Sequence, residues 1–122
     1  IPGANLVRVW PPQGSTLALA QLWPRTVGDY VALLADDVRP IPSALDTAVE
    51  FMQKHPEIAQ GCFSVHARSQ NCHVPLERGY PYGQYWIARR DAGKMVGWYD
   101  TTFPHSGVDY DFSCKQQQNN RK

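Results

Sequence analysis

Residues 84–102 read QYWIARRDAGKMVGWYDTT, and the fold class turns on them. Tyr85 and Ile87 stand at period two, and Asp91-Ala92-Gly93 fits a three-residue hairpin loop with Gly93 in the left-handed position. The stretch therefore predicts a strand over 85–89 that turns back as a strand over 94–99. The same alternation extends outward. Phe63 and Val65, then Val74 and Leu76, lie upstream, while Val108, Tyr110 and Phe112 lie downstream beyond a turn at 104–107. Residues 61–114 thus read as a β-meander of five short strands.

The first half of the chain has a different period. Ser43 as N-cap, Asp46 three residues on, the apolar positions Leu45, Ala48, Val49 and Met52, His55 in the last turn and Pro56 as a stop predict a helix. Thr26 and Asp29 form a capping-box pattern ahead of Val27, Tyr30, Val31 and Leu34, which predicts a second helix over 26–36. Residues 16–22 fit either a strand or a short helix, and residues 5–10 are β-rich up to Pro11-Pro12. Helices followed by an antiparallel meander make an α+β domain, with one or two N-terminal helices packed on a four- to five-stranded antiparallel sheet.

The chain has 122 residues, which suits a single domain over 1–114, and its nine glycines and ten prolines are dispersed as loop punctuation. Residues 115–122 carry three glutamines, two asparagines and no apolar side chain, and are expected to be a disordered polar tail. Twelve basic and eleven acidic residues give a net charge of +1, so no global field draws the protein to nucleic acid or to an anionic membrane. No apolar run approaches the ~20 residues that span a bilayer. The start at Ile1 rather than Met fits a processed or truncated chain, and secretion is expected, whether to the extracellular space or into a host cell.

Cys62, Cys72 and Cys114 allow one disulfide and leave one thiol, with the pairing open. Cys62, His66, Cys72 and His73 are zinc-type ligands by chemistry, but their spacing matches no compact knuckle and strand geometry splits Cys72 from His73, so no metal or other cofactor is assigned. A disulfide between Cys114 and one of the other two is more economical. His66 and His73 fall on the parity opposite the apolar positions of their strands, near Arg89 or Arg90 and the loop residue His105. Each is individually explained as a solvent-facing strand residue, yet together they offer proton transfer near neutral pH beside a paired-donor phosphate clamp. Cleavage of RNA by its own 2′-hydroxyl needs one base, one acid and a cation, without metal. The crowded aromatics Tyr80, Tyr82, Tyr85, Trp86, Trp98 and Tyr99 suit a sheet core, a protein-binding surface or base stacking, whereas Asp109 and Asp111 read as a solvated face.

Over residues 72–114 the pattern resembles the small microbial ribonucleases, the barnase and fungal guanyl-specific family. CHVPLERG (72–79) looks like the family strand that carries the catalytic carboxylate, and 84–102 like the hairpin after it. YDTTFPHSG (99–107) is similar to the loop that presents the catalytic histidine, and DYDFSC (109–114) to the last strand, which in fungal members ends in a disulfide cysteine. In that alignment His73 takes the place of the glutamate base, Tyr85 or Trp86 falls near the arginine position, Thr101 approximates the histidine position and His105 lies a few residues beyond.

Such substitutions on a retained scaffold resemble the secreted fungal effectors of ribonuclease-like fold, although the Tyr-x-Cys motif common near their mature N-termini is absent here. The resemblance implies a secreted, monomeric binding module of weak or no activity, docking on a host protein or single-stranded RNA through His66, Tyr82, Tyr85, Trp86 and Trp98. The alternative is an active metal-independent ribonuclease toxin with His73 as base, Arg89 or Arg90 as clamp and His105 as acid. An extracellular or periplasmic adaptor protein without a nucleic-acid role is the third reading.

Overall fold

The structure is a computed structural model that describes residues 6–8, 14–36, 38–63, 85–103 and 107–120. It is an α+β fold with four α-helices and a three-stranded antiparallel sheet among the described residues. The segment left open at 16–22 is helical. Its STLALAQL sequence favours α1 (Ser15–Leu22), which tightens into a 3-10 turn, Trp23–Arg25, where Pro24 needs no backbone donor. The Thr26 backbone N–H and hydroxyl both donate to the Trp23 carbonyl, at 3.2 and 2.7 Å, and close that turn.

The helix expected over 26–36 is instead a strand, β1 (Tyr30–Leu33). Its i, i+3, i+4 pattern is short, and Val27, which that pattern would bury, is 90% exposed. Pairing with the central strand decides the outcome, as tertiary context overrides local propensity. The strand order is β1, β3 (Trp86–Arg89), β2 (Gln60–Cys62), with Val31 opposite Ala88 and Gly61 opposite Ile87. Because side chains alternate, Trp86 and Ala88 share one face with Val31, Leu33, Gln60 and Cys62. Ile87 and Arg89 share the other with Tyr30, Ala32 and Gly61.

Helix α2 (Ala44–Lys54) forms where the sequence places it. Met52 is fully buried, and a β-carbon on Gly61 would lie 3.8 Å from its Sδ. Ser43 precedes the helix without capping it through its side chain. Its φ of 65° is left-handed, and its carbonyl receives the Thr47 N–H at 2.9 Å.

The proposed hairpin at 84–102 is half present. β3 is a strand, but residues 90–96 form helix α3 (Arg90–Val96) in place of a loop and a returning strand. Gly93 was read as a left-handed turn residue. It is a buried helical glycine, and any β-carbon there would overlap the Trp98 indole, so its role is close approach. The left-handed position falls at Gly97, φ 76°, and the Trp98 N–H reaches back to the Gly93 carbonyl at 2.9 Å.

The final strand is also a helix, α4 (Val108–Asn120), so residues 115–120, expected as disordered tail, are helical. Val108 and Phe112, four apart, are both buried while Tyr110 is exposed, which satisfies a helical period as well as the alternation read from sequence. Asp109 and Asp111 in the first turn suit the positive end of the helix dipole, and Asp111 pairs with Lys115 at 2.7 Å. The Phe63 N–H donates to the Tyr85 carbonyl at 2.9 Å. The strands expected at Val65, Val74 and Leu76, and the turn residues 104–106, lie outside the described residues.

The core is aromatic. Trp86, fully buried, has the rings of Phe112, Trp23, Tyr99 and Trp98 at centroid distances of 4.9, 5.9, 6.1 and 6.5 Å, and Trp23 stacks on Trp98 at 5.0 Å. Offset and edge-on geometries at these distances add to burial. Because the Gly93 surface is filled by Trp98, Gly93→Ala is expected to destabilise the domain by about 1–3 kcal/mol through overpacking. Urea denaturation followed by tryptophan fluorescence checks this, whereas Gly97→Ala places its methyl in open space and tests only the left-handed backbone.

Candidate functional site

The residue whose sequence role was phosphate clamping, Arg89, sits at the end of the central strand on the α2 side of the sheet. Helix α2 ends at Lys54 with its last carbonyls lacking intrahelical donors. Arg89 donates to one of them and to two carbonyls just beyond the helix. Nε donates to the Ile58 carbonyl at 2.8 Å, and Nη2 donates to the carbonyls of His55, at 3.1 Å, and of Met52. Nη1 reaches the Tyr30 hydroxyl at 3.4 Å, and the guanidinium lies 5.5 Å from the Tyr30 ring centroid. A rigid five-donor fork at a helix C-terminus meets several acceptors at once, and its charge opposes the negative end of the helix dipole. Arg89 therefore works as the clasp between sheet and helix.

Arg90 differs. It opens α3, its backbone N–H donates to the Asp29 carbonyl at 2.9 Å, and its Nε is buried without an acceptor. Of the expected contact aromatics, Trp86 and Trp98 are core residues with no surface to offer, while Tyr85 is half-buried at the start of β3. Cys62 and Cys114 are free thiols, so neither takes part in the expected disulfide. His66, His73, His105, Tyr82 and Cys72 lie outside the described residues. Among the described residues no three His, Cys, Asp or Glu side chains gather as a metal site, and no helix is long and apolar enough to cross a membrane.

The surroundings of Tyr99 and Cys62 favour their neutral forms. Burial pushes the Tyr99 hydroxyl up to about 12, against the opposing effect of its bond from Trp86 Nε1 at 2.9 Å, with the charge of Asp109 adding to the rise. The Cys62 thiol, in a residue that remains solvent-exposed, goes up to about 11 through partial desolvation and then the Asp109 carboxylate. A thiol so shifted is a poor nucleophile at neutral pH. Asp100 is held below its usual value, chiefly by the Thr102 backbone N–H and hydroxyl at 2.9 and 2.8 Å. The Trp86–Tyr99 bond was not foreseen from sequence, whose only signal was the density of aromatics in 80–99.

No family model, no curated protein and no solved structure matches this chain.

Arg89→Met removes the side-chain donor to the Met52 and Ile58 carbonyls and is expected to lower stability by about 2–3 kcal/mol while leaving partner or RNA affinity per folded molecule unchanged. Urea titration beside a binding measurement checks both. A phosphate clamp would give the reverse.

Both raised groups are neutral in the folded state, so their contribution is complete below the ordinary values of 9.0 for Cys62 and 10.0 for Tyr99. It is lost as pH climbs toward about 11 and about 12 respectively. Stability against pH should decline across that window, and Tyr99→Phe should flatten its upper half.

Proposed function

We propose that the protein is a secreted, ribonuclease-like binding module of weak or no catalytic activity that docks on a host protein or on single-stranded RNA. The observation that carries this reading is the engagement of Arg89. Metal-free RNA cleavage needs a cation at the phosphate, and this guanidinium is turned to the carbonyls of Met52, His55 and Ile58. The substituted catalytic positions, with His73 in place of a carboxylate, point the same way. With Trp86 and Trp98 in the core, the contact residues are His66, Tyr82 and Tyr85. The reading carries with it a sheet of four to five strands.

One feature favours the active alternative, a metal-independent ribonuclease with His73 as base and His105 as acid. Arg90 is not committed to backbone carbonyls through its side chain as Arg89 is, and its buried Nε has no acceptor. An adaptor role without nucleic acid rests on the same module binding protein alone.

Incubation with labelled single-stranded RNA in EDTA, for the wild type and His105→Ala, separates the readings. The binding module leaves the RNA intact in both, with a retarded band if RNA is the partner and none if the partner is a protein. Cleavage by the wild type that disappears in His105→Ala would overturn it. In whichever complex forms, Tyr85→Ala and Tyr82→Ala are expected to cost about 1–3 kcal/mol of affinity, and no loss at either would contradict the assignment of the contact surface.

A further inference from the structure

No further inference is drawn: the strongest candidate, the apolar side chains Leu45 and Phe51 left exposed on helix α2, carries nothing because nothing in the structure shows what covers it.

Discussion

The Trp98 indole lies against the bare backbone of Gly93, and the first face of the sheet is organised around that contact. A side chain at position 93 would push the ring away, and with it the partners that Trp98 touches, Trp23 at 5.0 Å and Phe112 at 6.1 Å. Those rings enclose Trp86, the side chain through which the central strand enters the core. The turn Gly97-Trp98, both residues with positive φ, exists to return the chain over α3 so that the indole reaches Gly93. Trp98 bears the cost of a left-handed backbone, of order 1–3 kcal/mol, because the aromatic packing it enters offsets more than that.

On the opposite face a single charged side chain does the equivalent work. Arg89 satisfies the end of α2 and lays its guanidinium near Tyr30, so strand, helix terminus and edge strand are joined by one residue. Alternation along β3 thus assigns two kinds of cohesion to its two faces, apolar packing at Trp86 and Ala88, and carbonyl capping at Arg89. The conspicuous aromatic and cationic residues of this strand are consumed by structure. Three of the four histidines, His66, His73 and His105, lie outside the described residues.

How much of this was legible depended on whether a residue's role was set nearby in the chain. Helix α2 was readable because its apolar spacing and the Pro56 stop are local signals, and the α+β class followed from the change of period. Gly93 was misread because a glycine is needed both for a left-handed turn and for close approach. Only the position of Trp98 tells these apart. Val108 and Phe112 satisfy two periods at once, and Tyr30–Leu33 carries a helical spacing that pairing with β3 overrode. Arg89 stood out as a cation, but its acceptors lie 31 to 59 residues away and no local pattern announces them.

The central claim is that the tryptophans around β3 form an interior and not a docking face. Iodide quenching of a Trp10→Phe variant tests it directly, since the remaining tryptophans are then Trp23, Trp86 and Trp98. The account predicts a blue-shifted emission that iodide scarcely reduces until the protein is unfolded. Quenching in the native state that approaches that of the unfolded chain would place these indoles at the surface and contradict it.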